Sequence, residues 1–144
     1  CGKWVEFPPQ APKFLQQMLI CPQFGDPIMG GPPVENGEGT ENGGWLTLPD
    51  ANPVTPALLA TYVDAWWPSA LQPLRKPAMA PTLDLTVHFR SELPPEGLAD
   101  QPVLVHNTSI ALIDGMCDSD SKIFTADGTL LAQARQLQLV IPLT

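Results

Sequence analysis

The sequence predicts an α+β domain in which a curved antiparallel sheet wraps around one long helix. Three observations lead to this prediction. Apolar residues follow a helical spacing between Thr55 and Trp67, apolar and polar residues alternate from Leu83 to Phe89, and three further strand-like segments follow. A single helix followed by several long strands is the chain order that such an arrangement requires.

Length and charge narrow the classes of protein that fit. The 144 residues are enough for one hydrophobic core and too few for two. We therefore expect one domain over residues 13–144, preceded by an extended lead-in or linker over residues 1–12. Fifteen acidic residues against seven basic ones give a formal charge of −8. Nucleic acid is excluded as a partner, because its phosphates require a basic surface.

The chain has no apolar run of about 18 residues, so it predicts no membrane-spanning helix. Its three cysteines are widely spaced and form no C-x-x-C pair, which argues against a zinc site and a disulfide framework. This cysteine usage favours the reducing cytoplasm. The chain begins with Cys1 in place of Met, and we expect truncation at an internal boundary, with a lipidated Cys1 as the competing explanation.

The N-terminal third of the domain predicts two strands that flank a long loop. Residues 14–24 predict the first strand. Residues 25–44 are rich in Gly, Pro, Asn and Glu, a composition typical of a loop. Residues 45–48 then predict a short strand, which the Pro49-Asp50 pair ends.

The clearest local signal is the start of a helix. Thr55 is suited to the N-cap position and Pro56 to the first helical position. The following residues place one apolar face on the helix, which we expect to continue to Trp67: Leu58, Leu59, Tyr62, Val63 and Trp66. A helix with this face is expected to pack against a sheet.

After a proline-rich turn at residues 73–81, the hydrophobic period changes from 3.6 to 2. Leu83 to Phe89 predict a strand with one apolar face and one face that carries ionisable groups. Residues 103–113, 116–124 and 129–141 predict three more strands, and Asp127-Gly128 supplies a hairpin turn between the last two. This order of elements is typical of the hotdog architecture.

Three blocks of sequence then resemble a known family. They are the PTLDLTVHF segment that begins at Pro81, the VHNTS segment that begins at Val105, and the FTADGTLLAQARQ segment that begins at Phe124. In order and spacing these blocks resemble the C-terminal half of the type II acyl-CoA thioesterases, a double-hotdog family. The resemblance extends from about Gly44 to Ile141 and implies hydrolysis of acyl-CoA thioesters.

In that family an Asp, a Gln and a Thr hold and activate a water molecule. The resemblance implies that these residues are Asp84, Gln136 and Thr108, with Ser109 as the alternative to Thr108. The residue types suit the chemistry, since a carboxylate can accept a proton from water while an amide and a hydroxyl fix its orientation. Backbone N–H groups at the N-terminus of the helix are candidates for stabilising the oxyanion.

The resemblance also implies a partner, because the family places two hotdog halves in one chain and builds its site where they meet. We expect either a homodimer or pairing with a second hotdog half. Coenzyme A enters as part of the substrate, and no metal or other cofactor is implied. Arg75, Lys76 and Arg90 are candidates for contacting its phosphates, although bases after a helix also favour its dipole.

Three functional hypotheses remain open at this stage. The chain is either a catalytic half or a non-catalytic half that binds acyl groups or mediates dimerisation. Hydration of enoyl thioesters is a third hypothesis, because hotdog hydratases carry a D-x-N-P-x-H run before the helix. Here Asp50, Asn52 and Pro53 match that run, but Thr55 replaces its histidine. The same residues suit a turn and an N-cap.

Overall fold

The computed structural model describes residues 3–7, 9, 11–25, 40–50, 52–74 and 78–143, and it contains an antiparallel sheet with one α-helix against it. The helix α1 spans Pro56–Val63, and 3-10 helices span Leu15–Gln17 and Ser69–Leu74. The strands are β1 Val5–Glu6, β2 Leu19–Phe24, β3 Glu41–Thr47, β4 Ala78–Met79, β5 Thr82–Phe89, β6 Val103–Thr108, β7 Leu112–Ile113, β8 Met116–Phe124, β9 Leu130–Leu139 and β10 Ile141–Pro142. The predicted α+β class is confirmed.

The main sheet has eight strands, in the order β1-β2-β3-β6-β8-β9-β5, with β7 paired to β8. Every pairing in it is antiparallel. β10 pairs with β4 in a separate two-stranded ribbon. The face of the sheet that packs against α1 is called the inner face below, and the opposite face is the outer face. Strand β1 lies within the predicted lead-in, so part of that segment joins the sheet.

The helix begins where the sequence predicts and ends earlier. The Thr55 hydroxyl accepts a hydrogen bond from the backbone N–H of Leu58 at 3.2 Å, and Pro56 occupies the first turn. The predicted continuation to Trp67 is wrong, because Asp64 caps the helix and the chain turns there. Pro68 disfavours a helical conformation in the residue before it, and Trp67 instead stacks on Trp66. Apolar spacing alone did not distinguish helix from the turn that follows.

Glycine explains why a segment predicted as a loop forms a central strand. The predicted loop ended at Gly44, yet β3 begins at Glu41 and includes Gly43 and Gly44. A Cβ atom on Gly43 would meet the carbonyl oxygen of Val105, and one on Gly44 would meet that of Cys21. The neighbouring strands therefore approach β3 closely only because these two residues lack side chains. The part of the predicted loop over residues 26–39 lies outside the described residues.

Other strand predictions are correct in place and wrong in extent. The segment 14–24 forms a 3-10 helix before β2 begins, and the segment 103–113 divides into β6 and β7. The segment 129–141 divides into β9 and β10, while β8 matches its predicted bounds. Gly128, with φ of 88°, makes the turn between β8 and β9. Single-strand patterns do not show where a bend separates two strands.

Strand β5 lies at one edge of the sheet. In the described part of the chain it pairs with β9 alone. Its large apolar side chains are therefore open to solvent, with Leu83 57% exposed and Phe89 50% exposed. The alternation that the sequence predicted holds from Asp84 to Phe89, and a bulge between Thr82 and Asp84 interrupts it at Leu83. The apolar face remains uncovered because α1 packs over the interior strands, against β8 and β9 more than against β5.

The structure shows whether two of the cysteines are disulfide-bonded or free. Cys21 in β2 is disulfide-bonded, although the cysteine spacing had argued against a disulfide framework. Cys117 in β8 is a free and buried thiol. No helix within the described ranges has the length and apolar character needed to cross a membrane.

The N-cap gives a direct test of the helix start. We expect Thr55→Ala to lower the free energy of unfolding by about 1 kcal/mol, because it leaves the Leu58 N–H without its acceptor. Thr55→Ser keeps the acceptor and should retain most of that stability. Urea unfolding of the three proteins checks the prediction. Equal losses in both variants would show that the Thr55 methyl group, and not its hydroxyl, stabilises the helix.

Candidate functional site

The inner face of the sheet changes from apolar to polar along its strands. Val105, Ile123 and Ala132 lie side by side on three neighbouring strands and belong to the core. Two residues further along each strand, Asn107, Ser121 and Ala134 are aligned, and the next aligned pair is Ser119 and Gln136. Asn107, Ser119, Ser121 and Gln136 are all buried. A buried polar group is costly without a partner, so this patch needs hydrogen bonds.

Those hydrogen bonds go to the last carbonyl of α1 and to the Trp67 carbonyl in the turn that follows it. The Val63 carbonyl accepts from the Gln136 amide at 3.2 Å, and the Ser121 hydroxyl lies 3.3 Å from the same oxygen. The Trp67 carbonyl accepts from the side-chain amides of Asn42 and Asn107, at 3.2 and 3.4 Å. The last carbonyls of a helix have no partners within it. The polar side chains of the sheet satisfy these carbonyls and fix α1 above them.

An Asp, a Thr and a Gln meet beside this junction. The Thr82 hydroxyl lies 3.2 Å from the Asp64 carboxylate and 3.1 Å from the Gln136 amide oxygen. One hydroxyl has one proton to donate, so it donates to one of these two acceptors at a time. Gln136 is only 3% exposed, whereas Thr82 is open to solvent at the start of the edge strand. The cluster is therefore reached from the open edge of the sheet.

Burial changes the acidity of the Asp64 carboxyl. Desolvation raises the pKa of Asp64 above its ordinary value, and hydrogen bonds from Thr82 and Gln136 offset part of that increase. A carboxylate at the end of a helix also lies near the negative end of the helix dipole. A raised pKa makes Asp64 a stronger base than a solvated aspartate. The cluster can hold a water molecule and accept its proton.

The structure does not bring Asp84 to Gln136. Asp84 is in register with Leu137, and Gln136 is in register with Leu85. Residues directly opposite on paired strands share a face, so Asp84 lies on the outer face and Gln136 on the inner face. A bulge between Thr82 and Asp84 causes this separation, because it places these two residues on opposite faces. In a regular strand they would share one.

Thr108 is also apart from Gln136. It aligns with Glu41 and Asp120, and Asp120 aligns with Arg135, so Thr108 belongs to the outer face. Its alternative, Ser109, is buried on the inner side. The Ser109 hydroxyl lies 3.0 Å from that of Ser69 and accepts from the Ala70 N–H at 3.2 Å, which ties β6 to the second 3-10 helix.

The predicted contacts for coenzyme A lie outside this cluster. Arg75 and Lys76 fall outside the described residues. Arg90 follows β5 and is exposed. It lies eight residues beyond Thr82, which is about 27 Å along an extended strand. The N-terminus of α1, predicted to stabilise an oxyanion, is also distant, because an eight-residue helix separates its two ends by about 12 Å.

The hydratase-like run before the helix has structural roles. Thr55 replaces the histidine of that run and caps α1 through its hydroxyl. The Asn52 side chain donates to the backbone carbonyl of Asp50 at 2.9 Å, which closes a turn. Both bonds are local, as expected for a turn followed by an N-cap. These contacts favour the structural interpretation over hydration chemistry.

The sequence patterns did not single out Asp64 and Thr82. Both residues lie beside positions that those patterns did indicate, since Asp64 follows the apolar helix face and Thr82 precedes Asp84. One signal was present: an acidic residue at the C-terminus of a helix is electrostatically unfavourable, so Asp64 required an explanation. Thr82 had no comparable signal, because only the bulge turns it to the inner face.

Comparison with known proteins gives a family and a fold. Residues 3–140 match the family model described as the acyl-CoA thioesterase C-terminal domain. No curated protein sequence matches the chain. A hotdog-fold protein of unknown function from Alicyclobacillus acidocaldarius is similar, with a TM-score of 0.76 and 21% identity over 98% of this chain and 51% of that one.

Two further solved structures are similar. An acyl-CoA thioesterase II from Mycobacterium marinum has a TM-score of 0.64 and 21% identity, over 100% of this chain and 57% of that one. A hypothetical thioesterase protein with coenzyme A, from Streptococcus pneumoniae, has a TM-score of 0.54 and 14% identity, over 72% and 80%. The predicted hotdog fold is confirmed. The chain spans about half the length of the first of these structures.

The raised pKa of Asp64 predicts how stability depends on pH. The folded chain binds the Asp64 proton more tightly than the unfolded chain, so this contribution to the unfolding free energy is complete below about pH 3.9. It is lost as the pH rises through the folded pKa. Asp64→Asn does not titrate, so between about pH 4 and 7 its stability should improve relative to the parent.

Urea unfolding at pH 4, 5, 6 and 7 measures this difference. Asp50→Asn is the matched control, because Asp50 is exposed and its carboxylate makes no hydrogen bond within the described ranges. The pH dependence of its stability gives the baseline against which Asp64→Asn is compared. A difference between Asp64→Asn and the parent that stays constant over this range would contradict the raised pKa.

Proposed function

This chain belongs to the acyl-CoA thioesterase C-terminal domain family, and we propose on that basis that it hydrolyses acyl-CoA thioesters through Asp64, Thr82 and Gln136. One observation carries the assignment of residues. The family resemblance implies an Asp, a Gln and a Thr around one water molecule, and these three side chains meet at 3.1 and 3.2 Å around the Thr82 hydroxyl. Asp64 and Thr82 thus take the roles that the sequence predicted for Asp84 and Thr108.

The chemistry follows from the hydrogen-bonding capacity of each group. Asp64 accepts a proton from water as the oxygen of that water bonds to the thioester carbon. The Gln136 amide and the Thr82 hydroxyl orient the water. The carbon–sulfur bond then breaks, and the thiolate takes from Asp64 the proton that the water gave up. A thiol with a pKa of about 8.5 is a good leaving group, so no strong general acid is needed.

A second hotdog half completes the site in this proposal. The cluster opens toward β5, and the free edge of this strand has no neighbouring strand in the described part of the chain. The exposed apolar residues Leu83, Leu85 and Phe89 lie along the same edge. An uncovered edge strand favours pairing with another chain. The partner is either a second copy of this chain or a separate hotdog half, and it would cover the acyl group beside Gln136.

Coenzyme A phosphates need local positive charge on a chain with a formal charge of −8. Arg75, Lys76 and Arg90 remain the candidates for these contacts. Arg90 lies far from Asp64 along β5, so it suits a site shared with a partner better than a site within one chain. The proposed contacts to the phosphates therefore depend on how this chain pairs with a second hotdog half.

A non-catalytic role is the second candidate. It is favoured by the open edge at β5, which suits pairing with another half. In that case Gln136 and Asp64 would only anchor the end of the helix, since Gln136 donates to the Val63 carbonyl. The domain would then bind acyl groups or mediate dimerisation without hydrolysing a thioester.

Paired substitutions distinguish the two assignments of the base. We expect Asp64→Asn to lower kcat by a factor of about 100 or more, because a general base contributes about 10²- to 10⁴-fold. Asp84→Asn, on the outer face of the neighbouring strand, should retain the parental rate. Release of free coenzyme A from acyl-CoAs of several chain lengths, followed with a thiol-trapping dye, measures both.

The other possible outcomes would contradict the assignment of Asp64 as the base. Loss of activity in Asp84→Asn with a normal rate in Asp64→Asn would restore the assignment made from sequence. Equal background rates in the parent and both variants would establish the non-catalytic role. Thermal melting of each variant shows whether a lost rate reflects lost folding.

The acidity of Asp64 also predicts the pH profile. The base must be ionised, so kcat/KM should fall on the acid side with one ionisation. Because burial raises the pKa of Asp64, the midpoint should lie above the range of a solvated aspartate, about 3.9. Initial rates at subsaturating acyl-CoA measure it. A midpoint at or below that range would rule out Asp64 as the base.

A further inference from the structure

Attack on a thioester places negative charge on the carbonyl oxygen, and a hydrogen-bond donor must stabilise it. Asp64 has no proton to donate before the reaction, while Gln136 and Thr82 are committed to the helix, the carboxylate and the water. The N–H groups at the start of α1 are about 12 Å from Asp64 along the helix. Within this chain, the donor must therefore come from another group on the inner face.

We propose that the hydroxyl of Ser119 is this donor. The inference rests on the proposed hydrolysis at Asp64. Ser119 in β8 is directly opposite Gln136 in β9, and side chains in such a pair have Cβ atoms about 4.5–5.5 Å apart on one face. Ser119 is 3% exposed, as is Gln136. The two side chains are neighbours on the buried polar patch below the end of α1.

The Ser119 hydroxyl differs from its neighbours because it is unused. In the part of the chain that the structure describes, it makes no hydrogen bond. By contrast, Ser121 is bonded to Asn107, Ser69 to the Thr40 carbonyl and Ser109 to Ala70. A carbonyl oxygen of a ligand could accept the hydrogen bond that this hydroxyl does not make within the described chain.

The Ser119 hydroxyl is also not sealed from solvent. The unpaired side-chain atoms that are sealed from solvent in the described ranges are Asn42 Oδ1, Trp66 Nε1 and Gln138 Oε1. Ser119 Oγ is not one of them. Gln138 Oε1 accepts hydrogen bonds and cannot donate to an oxyanion. Cys117, two residues before Ser119, is a weak donor and is buried. Ser119 is therefore the group suited to the task.

The reaction step uses Ser119 only as a donor. The water oxygen bonds to the thioester carbon as its proton moves to Asp64, and the carbonyl electron pair becomes a lone pair on oxygen. The Ser119 O–H donates to that oxygen and keeps its proton. When the carbonyl reforms, the carbon–sulfur bond breaks and the thiolate takes the proton from Asp64. The products are the carboxylic acid and the free thiol, and Ser119 is unchanged.

Steady-state kinetics with a straight-chain acyl-CoA tests the role. Ser119→Ala should lower kcat by about 100-fold, the effect of losing one oxyanion donor, with little change in KM and no shift of the acid limb of the pH profile. Ser119→Thr keeps the hydroxyl and should retain a rate at least tenfold above that of Ser119→Ala. Ser91→Ala removes a hydroxyl that bonds to the Leu130 carbonyl beyond β5, and it should keep the parental rate.

A rate for Ser119→Ala within threefold of the parent would overturn the proposal, as would equal rates for the Ala and Thr variants. If Asp64→Asn is inactive while Ser119→Ala is normal, only the Ser119 inference fails. If Asp64→Asn keeps the parental rate, the proposed function itself fails.

A spectroscopic measurement keeps the proposal testable if Ser119→Ala is unstable. Isotope-edited infrared spectra of an acyl-CoA labelled with carbon-13 at its carbonyl, bound to Asp64→Asn, should show a carbonyl stretch at lower frequency than in water-free solvent. Adding Ser119→Thr should preserve that shift, and adding Ser119→Ala should remove it. An unshifted band in Asp64→Asn alone would overturn the proposal.

Discussion

The carbonyl groups at the end of α1 and in the turn that follows it impose the main constraint on this fold. They are buried against the sheet, so the sheet must supply donors to them. Gln136 and Ser121 reach the Val63 carbonyl, and Asn107 reaches that of Trp67. The polar patch exists to satisfy these groups, and it places a buried amide beside Asp64. The candidate site is thus part of the same network that anchors the helix.

This origin explains why structure and chemistry are difficult to separate at Gln136. Its amide nitrogen anchors the helix, and its amide oxygen faces the Thr82 hydroxyl. One side chain therefore has a structural contact at one end and a contact with the candidate site at the other. Asp64 and Ser119 have fewer structural contacts than Gln136. Substitutions at these two positions separate catalysis from folding better than substitution of Gln136.

The position of the cluster beside an open edge connects the site to assembly. Thr82 begins the edge strand β5, and the inner-facing Leu85 is aligned with Gln136. A second hotdog half at this edge would cover both the apolar side chains and the approach to Asp64. The same interface would then stabilise the assembled protein and control access of the substrate to the site. Assembly and activity are linked in this proposal because they use one strand.

The sequence by itself determined the order of elements, the start of α1 at Thr55 and the hairpin at Gly128, because capping and turn formation depend on neighbouring residues. The family resemblance also proposed Gln136 as a site residue. The sequence did not determine the partners of Gln136, because a single bulge between Thr82 and Asp84 decides which of them faces the helix. A bulge forms where two strands fit together, and the alternation within one strand carries no record of it. Only the tertiary structure could therefore bring Thr82 to Asp64 and leave Asp84 on the outer face.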